Sequence, residues 1–337
     1  MGSAGVVRWG ILSTARIGTG KVIPGLQRST LGEVVAIASR DAGAARAAAD
    51  SLGIPRAHGS YEALLADPDV DAVYIPLPNH LHMDWSIAAL RAGKHVLCEK
   101  PIALTSADAE RMAEVAEASG RLLMEAFMYR HHPSWLAALD LVRSGRIGRL
   151  TAVDSWFSFW LDDPTDIRSV PAYGGGALFD IGCYCVNLSR LLFDGEPHDV
   201  SAMIERDPAL GVDITTSGTM AFERGLASFT CSTRVEDDQR VHIYGTEGRI
   251  SIDIPFNIPP GLPTRVRLTT GRRRPEDWAS EVIELAPADP YACEGDAFAA
   301  AILEGRAAPV PMRDAIANMR VIERLLEAAG PGDRRPA

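Results

Sequence analysis

Lysine is scarce in this chain, and one lysine lies in a position suited to chemistry. The 337 residues include three lysines against thirty-one arginines. Arginine stays protonated at any working pH, whereas lysine loses its proton when its surroundings lower its pKa. Lys100 follows an apolar run and lies between Glu99 and Pro101. These residue types predict a role in proton transfer or charge stabilisation for Lys100, and a solvated surface charge is the alternative.

Asp180 and Tyr184 form a second group whose spacing fits one face of a helix. They are four residues apart in a helix predicted over 177–193, so both side chains are expected on the same side. Three glycines at 174–176 precede the helix, and glycine lets a ligand approach the backbone closely. A phenol and a carboxylate in this arrangement can exchange protons with a hydroxyl group. For Tyr184 the alternative is a packed ring whose hydroxyl is bonded locally.

Composition limits the classes of function that fit this chain. A formal net charge of −10 argues against nucleic acid or an anionic membrane as the partner. No stretch approaches the roughly 20 apolar residues of a membrane-spanning helix, and residues 1–8 do not resemble a signal peptide. The five cysteines form no CxxC pair and are expected to be reduced thiols in a cytoplasmic protein. His80 and His82 have no supporting ligand cluster, so no metal site is expected.

The first half of the chain alternates apolar strands with helices. Strands are predicted over 6–12, 34–39, 70–75, 95–98 and 122–125, and helices over 17–27, 42–52, 61–66, 82–92 and 107–119. This alternation predicts an α/β domain over residues 1–127, with the doubly wound parallel sheet of a Rossmann fold. Such sheets bind ligands beyond the carboxyl ends of their strands.

The second half predicts an α+β domain over residues 128–337 with a large, open and mostly antiparallel sheet. Strands are predicted over 150–159, 201–204, 217–222, 227–233, 240–245, 266–270 and 281–285. Helices are predicted over 135–143 and 177–193, and two helices over 291–304 and 312–329 close the domain.

A turn of small residues after the first strand has the pattern of a dinucleotide-binding loop. It consists of Ser13, Thr14, Ala15, Arg16 and Ile17 and is followed by Gly18. The first two glycines of the usual fingerprint are replaced here by serine and alanine. Both are small enough for backbone amides to approach a pyrophosphate at the start of a helix. An ordinary turn between strand and helix is the alternative.

The end of the second strand indicates which dinucleotide is bound. An Asp or Glu at this point usually bonds the ribose hydroxyls of NAD. Here the residues are Ser39 and Arg40. A hydroxyl beside a guanidinium binds a 2′-phosphate, which a carboxylate repels. We therefore expect NADP in preference to NAD, and a solvated residue at the helix start is the alternative for Arg40.

Four motifs, in order along the chain, resemble those of the Gfo/Idh/MocA oxidoreductases. They occupy residues 76–82, 92–101, 125–130 and 174–184, and the second contains the Glu-Lys-Pro signature of the family. The resemblance covers nearly the whole chain. It is closest to the NADP-dependent aldose (xylose-type) and dihydrodiol dehydrogenases, which carry tyrosine in the last motif where inositol dehydrogenases carry histidine. Similar motifs occur in reductases of nucleotide-linked 3-keto sugars.

The resemblance implies where the nicotinamide half of the cofactor binds. The residues expected to line this half are Leu77, Pro78, Asn79 and His82, with Glu99 and Lys100 against the nicotinamide ribose. Tyr291 matches a position that approaches the nicotinamide in this family. Arg168 precedes the three glycines and is expected to reach cofactor or substrate, with a surface position as the alternative.

Three further residues are expected to contact the substrate. Tyr129 and Arg130 begin the second domain and are predicted to form part of a cleft wall. Trp160 belongs to an aromatic cluster over 156–160 that is able to stack on a sugar face. Sheet core or a subunit interface is the alternative for this cluster.

Hydride transfer at an alcohol carbon requires a proton to move at the alcohol oxygen. We expect Tyr184 to be the acid–base group, with Lys100 within hydrogen-bond reach of the same oxygen. A nearby ammonium lowers the pKa of a phenol from about 10 toward the working range, and it stabilises a developing alkoxide. Asp180 is expected to bind a substrate hydroxyl or to orient Lys100.

The leading hypothesis is therefore an NADP-dependent oxidoreductase for a sugar or polyol, most specifically an aldose 1-dehydrogenase. One alternative is a reductase of a keto sugar, nucleotide-linked or free, or a cyclic diol dehydrogenase. Another is a sensor that binds dinucleotide without turnover. The resemblance also implies a homodimer or homotetramer, since the open sheet of the second domain needs cover on its exposed face.

Overall fold

The structure, a computed structural model, describes residues 5–271 and 278–330. It divides into two compact units. The first consists of Met1–His131 and Asp289–Met319, and the second of His132–Ala288 and Arg320–Ala337.

The first unit contains the predicted parallel sheet, which has six strands, one more than the five that the sequence predicts. Its strands are β1 (Val7–Leu12), β2 (Gly32–Ala38), β3 (Arg56–His58), β4 (Ala72–Ile75), β5 (His95–Glu99) and β6 (Leu123–Ala126). The order across the sheet is β3-β2-β1-β4-β5-β6, and every neighbouring pair is parallel. This is the Rossmann order. Successive strands are added toward one edge of the sheet from β1 to β3 and toward the other edge from β4 to β6, so the order switches between β1 and β4. The loops after these two strands therefore flank the point where such sheets bind ligands.

Helices connect the strands, and two of them begin and end at typical capping residues. Those of the first half are α1 (Ile23–Leu26), α2 (Ala42–Leu52), α3 (Tyr61–Leu65), α4 (His82–Arg91) and α5 (Ser106–Ser119). The Asp41 side chain accepts a hydrogen bond from the Ala44 amide at the start of α2, and Thr105 caps α5 in the same way. Gly53 and Gly120 end the two helices in the left-handed conformation.

The second unit is built on an eight-stranded sheet. Its strands are β7 (Leu150–Trp160), β8 (Asp199–Arg206), β9 (Asp213–Phe222), β10 (Gly225–Ser232), β11 (Arg234–Gly245), β12 (Gly248–Ile252), β13 (Thr264–Thr270) and β14 (Ala279–Leu285). Their order is β14-β13-β12-β11-β7-β10-β9-β8. The described pairs are antiparallel except β7 with β10. The predicted mostly antiparallel sheet is confirmed.

The remaining helices are α6 (Pro133–Arg143), α7 (Cys183–Phe193), α8 (Pro290–Leu303) and α9 (Met312–Ala328). The apolar run Pro171–Phe193 ends with α7 and has the length and composition of a membrane-spanning helix. From the sequence, this run is not expected to form such a helix. However, 78% of its most apolar window is buried in the fold. Burial of this extent fits a core helix of a globular unit.

The closing helix over 291–304 is predicted in the second domain, but the structure places it in the first unit. In the structure it is α8, and it belongs to the first unit. A Cβ atom added at Gly25 of α1 would lie 2.6 Å from Cβ of Tyr291, so the two helices pack almost backbone to backbone. Phe298 of α8 contacts Trp9 of β1 with ring centroids 5.9 Å apart. Close packing on α1 and β1 explains why α8 counts with the Rossmann unit. The division between the units falls inside α9, after Met319.

Candidate active site

The turn after β1 retains glycine-like geometry without glycine. Ser13 has φ +133°, a region that favours glycine, and its hydroxyl accepts a hydrogen bond of 3.0 Å from the Ala15 amide. A Cβ atom added at Gly18 would lie 3.4 Å from Cγ of Pro76, the residue after β4. A Cβ atom at Gly18 would thus make ordinary contact with Pro76, and the small residues of this turn fit a loop that admits a pyrophosphate.

At the end of β2, Ser39 and Arg40 lie where the adenosine end of a dinucleotide binds in this fold. The Ser39 amide bonds the His58 carbonyl, and its hydroxyl accepts a 3.2 Å hydrogen bond from the Asp41 amide. The Asp41 carboxylate is occupied by the Ala44 amide. Arg40 is exposed and forms no ion pair within residues 5–271 and 278–330. The binding of a phosphate group by Ser39 and Arg40 stays a prediction.

His82 ties together the loops that follow β4 and β5. It is fully buried, with its Nδ1 2.8 Å from the Pro101 carbonyl oxygen and its Nε2 2.8 Å from the Leu77 carbonyl oxygen. Burial lowers the pKa of His82 to about 4, although both carbonyls act in the opposite direction. A neutral ring carries a single N–H and donates to one carbonyl at a time. His82 therefore holds the loops of Leu77 and Pro101 together, and its predicted contact with the cofactor stays a prediction.

Glu99, at the end of β5, belongs to a buried acidic cluster. The Tyr74 hydroxyl donates a 2.6 Å hydrogen bond to Oε1 of Glu99, and the Lys100 amide donates to Oε2 at 3.3 Å. Burial, then Glu99, raises the pKa of Glu294 on α8 well above its ordinary value, which favours the protonated form. Tyr291 is nearly buried, and burial followed by Glu99 raises its pKa. Tyr74 and Glu294 thus lie with the predicted residue Tyr291 around Glu99, the neighbour of Lys100 in the chain.

In the second unit, Arg168 is engaged by Asp180. Arg168 Nε donates to Oδ2 of Asp180 at 2.8 Å, and Nη1 lies 3.3 Å from Oδ1 of Asp166. The negative charge of Asp180, and to a smaller extent that of Asp166, raises the pKa of Arg168. This guanidinium therefore stays charged. The two carboxylates outnumber the one cation. The expected contact of Arg168 with cofactor or substrate stays a prediction, and its contact with Asp180 fixes the side chain of another predicted site residue.

Tyr184 lies in an aromatic cluster directly after Asp180. The sequence predicts one helix over 177–193, but the structure starts it with a π-helical turn, Leu178–Gly182, that contains Asp180, and α7 begins at Cys183. Tyr184 is 5% exposed. Its ring meets Phe157 edge-on at 5.6 Å and Phe256 at 5.3 Å. This packing fixes the direction of the phenol, which a proton-transfer group requires.

Two of the three glycines before this segment, Gly175 and Gly176, make room for protein atoms. They are expected to let a ligand approach the backbone, and the structure shows contacts with other parts of the unit instead. A Cβ atom at Gly175 would overlap the Arg168 carbonyl, and one at Gly176 would overlap the Asp213 carboxylate. Gly176 also has φ +112°. Both glycines thus hold the segment against Arg168 and Asp213.

Replacing Gly176 by alanine is expected to lower the free energy of unfolding by about 2–4 kcal/mol, from strain at positive φ and overlap with Asp213. Thermal unfolding measures this loss. The control is Gly261→Ala, because no heavy atom lies within 4 Å of a Cβ atom there. A change within about 0.5 kcal/mol is expected for the control. Equal melting temperatures for the two variants would contradict the packing described.

The other three residues predicted to contact substrate, Tyr129, Arg130 and Trp160, differ in their exposure to solvent. Tyr129 is fully buried and meets Phe127 edge-on at 6.1 Å, and Arg130 pairs with Asp314 at 2.6 Å. Both fit structural roles within the first unit, and their contact with substrate stays a prediction. Trp160 at the end of β7 is 59% exposed, so its ring is available to a ligand or to another subunit.

Comparisons with known proteins place the chain in one family. Residues 7–127 match the model of the Gfo/Idh/MocA oxidoreductase family with NAD-binding Rossmann fold, and residues 135–251 match the model of the Gfo/Idh/MocA C-terminal domain. A D-xylose 1-dehydrogenase (NADP⁺) of Haloferax volcanii is 42% identical over 96% of this chain and 98% of its own length. A trans-1,2-dihydrobenzene-1,2-diol dehydrogenase of Mus musculus is 34% identical over 73% and 74%.

Solved structures agree with this placement. A 3-ketoreductase from Actinomadura kijaniata, in complex with NADP and TDP-benzene, superposes with a TM-score of 0.87 at 31% identity, covering 96% of this chain and 98% of that one. The same ketoreductase has been solved with one tyrosine replaced by phenylalanine and with one lysine replaced by alanine. With two family models matching in succession and relatives matching over nearly its full length, this chain belongs to the Gfo/Idh/MocA family of oxidoreductases.

Proposed function

We propose that this protein is an NADP-dependent oxidoreductase that transfers a hydride between nicotinamide and a carbon of a sugar or polyol, most specifically as an aldose 1-dehydrogenase. The observation that carries this proposal is the 42% identity, over almost the whole chain, to an NADP⁺-dependent D-xylose 1-dehydrogenase. The residues of the two units supply the binding and proton-transfer groups that such a reaction needs.

The geometry of the first unit fits NADP. Ser13 and Gly18 give the small-residue turn required beside a pyrophosphate, and Arg40 presents a guanidinium at the end of β2. The Asp41 carboxylate is held by the start of α2 and does not replace the usual ribose-binding acid. Glu99, fixed by Tyr74, is proposed to bond the nicotinamide ribose. When bound, NADP supplies the hydride acceptor or donor.

The second unit supplies the proposed acid–base group. In the oxidation direction, the phenolate oxygen of Tyr184 takes the hydroxyl proton of the substrate as the C–H bond breaks. Lys100 stabilises the negative charge that develops on the substrate oxygen as this proton leaves. Asp180, which already accepts a hydrogen bond from Arg168, accepts a second one from a neighbouring substrate hydroxyl. In the reduction direction the phenol returns its proton to the new alkoxide.

A reductase of keto sugars is the second candidate. It is favoured by the likeness to the 3-ketoreductase, at a TM-score of 0.87. The cluster of Arg168 with Asp166 and Asp180 carries a net negative charge, so it favours a neutral hydroxylated substrate group over a phosphate. The sugar ring of either substrate meets this requirement. The two candidates differ in the direction of the reaction and in the size of the substrate.

The test is the absorbance of NADPH during incubation with a panel of aldoses, inositols, a cyclic diol and a keto sugar, run in parallel with NAD. NADPH formation with one or more aldoses supports the dehydrogenase. NADPH consumption with the keto sugar alone supports the reductase. If no compound is turned over while NADPH still raises the melting temperature, the proposed activity is wrong and a dinucleotide sensor is favoured.

Replacing Arg40 by aspartate is expected to raise the KM for NADP about 10- to 100-fold, because charge-assisted hydrogen bonds to the phosphate are lost and a repulsive carboxylate is added. The KM for NAD should stay the same or fall, since a carboxylate at this position bonds ribose hydroxyls. Arg46→Ala on α2 is the control, because this exposed arginine pairs only with the neighbouring Asp50 among described residues. Equal loss with both cofactors would contradict the assignment.

We also propose that the protein forms a homodimer or homotetramer through the open sheet of the second unit. Trp160, Met203 and Leu226 are each more than half exposed on its strands β7, β8 and β10. Burying such side chains in a subunit interface is favourable. Sedimentation equilibrium determines the mass in solution, and a monomer at micromolar concentration would overturn this proposal.

A further inference from the structure

A buried carboxylate in the second unit has no place in the proposed reaction. Asp213, the first residue of β9, is 3% exposed. Burial raises its pKa, while hydrogen bonds from Leu178 and Thr216 act in the opposite direction. A carboxylate is costly to bury, and it persists where its hydrogen bonds do something that an apolar side chain cannot do.

The hydrogen bonds of Asp213 converge on the start of the segment that carries Asp180 and Tyr184. Its Oδ2 accepts a 2.7 Å hydrogen bond from the amide of Leu178, the first residue of the π-helical turn Leu178–Gly182. The same oxygen accepts a 2.9 Å hydrogen bond from the Thr216 hydroxyl. Asp213 thus connects β9 to the first turn of this segment across a separation of 35 residues.

The backbone around this contact is shaped to let the carboxylate in. Gly176 has no Cβ atom where Asp213 lies, and its carbonyl accepts the Asp180 amide at 3.1 Å. Its own amide donates to the Arg168 carbonyl at 2.9 Å. One short stretch of backbone therefore connects Asp213 to Arg168 and to Asp180. A shift at Leu178 would move the proposed catalytic residues that follow it.

We propose that Asp213 is a positioning residue, which sets the place of Asp180 and Tyr184 by anchoring the Leu178 amide to β9. This inference rests on the proposed function, in which Tyr184 is the acid–base group. Asp213 touches neither substrate nor cofactor in this account. Its effect reaches the reaction through the orientation of the π-helical turn and the start of α7.

The experiment compares Asp213→Ala, Asp213→Asn and Thr216→Val by steady-state kinetics with NADP and the best substrate. Alanine removes the acceptor, and kcat is expected to fall about 10- to 100-fold, the cost of a displacement near 1 Å in a catalytic group. The KM for NADP should not change. Asparagine keeps an oxygen that accepts both hydrogen bonds, so it is expected to restore kcat to within about threefold of the wild type. Thr216→Val, which keeps the bond to Leu178, is expected to give an intermediate loss.

The matched control is Glu196→Ala. Glu196 accepts two 2.7 Å hydrogen bonds from the buried Arg190 near the other end of α7, so its removal loosens the same helix away from the first turn. It is expected to lower the melting temperature with kcat changed less than about twofold. If Glu196→Ala lowers kcat as much as Asp213→Ala at equal loss of stability, the effect is general loosening and the inference is wrong.

Hydrogen exchange separates failure of this inference from failure of the proposed function. Amides of residues 178–184 are expected to exchange faster in Asp213→Ala than in Glu196→Ala, whether or not a substrate has been found. If Asp213→Ala does not fold, the same comparison is made with Thr216→Val. Unchanged exchange in this segment, or an unchanged kcat in an active enzyme, would overturn the inference.

Discussion

Replacing Tyr184 by phenylalanine is expected to lower kcat about 100- to 10,000-fold, the usual contribution of a positioned acid–base group. Only the hydroxyl oxygen is removed, and the ring contacts with Phe157 and Phe256 are retained. The melting temperature and the dissociation constant for NADPH should therefore stay close to those of the wild type. Stopped-flow or steady-state NADPH absorbance measures kcat, and fluorescence titration measures cofactor binding.

The control for this substitution is Tyr61→Phe. Tyr61 is also nearly buried and meets an aromatic ring, Trp85, edge-on at 4.8 Å. It belongs to α3, and nothing in the proposed reaction involves it. The kcat of the Tyr61→Phe variant is expected to remain within about twofold of the wild-type value. If Tyr184→Phe retains turnover comparable to Tyr61→Phe, Tyr184 is not the acid–base group.

Replacing Lys100 by methionine is expected to lower kcat about 100- to 1,000-fold, because a preorganised positive group no longer stabilises the developing oxyanion. The Lys100 amide still bonds Glu99 in this variant, so the turn after β5 keeps its anchor. The rise of kcat with pH in the oxidation direction should also move to higher pH. A phenol that loses the influence of an ammonium is a weaker acid, and more alkaline solution is then needed to form the phenolate.

A charge-conserving variant distinguishes the two roles of Lys100. Lys100→Arg keeps a positive group but presents it with different geometry and never gives up its proton. If Lys100 acts by charge alone, arginine recovers much of the lost kcat and the original pH profile. If arginine is as poor as methionine, then position or proton transfer is essential. Full activity of the methionine variant would remove Lys100 from the mechanism.

Regular elements with strong local signals could be predicted from the sequence. Helix α2 extends over Ala42–Leu52, the predicted range, because Asp41 and Gly53 mark its two ends. Strands β3 and β12 were not predicted. β3 has three half-buried residues, and β12 begins with glycine and includes an arginine. Their strand conformation depends on pairing with β2 and with β11 and β13, which no local pattern reports.

The π-helical turns show a second limit of local patterns. Apolar periodicity over 17–27 and 177–193 predicts uninterrupted helices, whereas both segments begin with a π-helical turn. A wider turn changes which residues share a face, so the four-residue spacing of Asp180 and Tyr184 does not by itself place them together. Asp180 instead accepts a hydrogen bond from Arg168, twelve residues earlier in the chain.

Candidate site residues could be proposed from the sequence where chemistry and sequence neighbourhood coincide. Ser39 with Arg40, and Glu99 with Lys100, are adjacent in sequence and lie at or directly after the ends of β2 and β5. Asp213 and Glu294 carry no such signal, because each approaches the site region from a distant part of its own unit. A single acidic residue at the start of a strand or within a helix reads as a surface group until tertiary packing buries it.

The most direct test of the central claim is label transfer from a deuterated sugar. The best aldose substrate, carrying deuterium on the carbon to be oxidised, is incubated with the protein and NADP, and the NADPH is examined by mass spectrometry. Direct hydride transfer predicts one deuterium on the nicotinamide ring and a slower single turnover than with the unlabelled sugar. NADPH without deuterium, or no NADPH from any aldose, would contradict the proposed function.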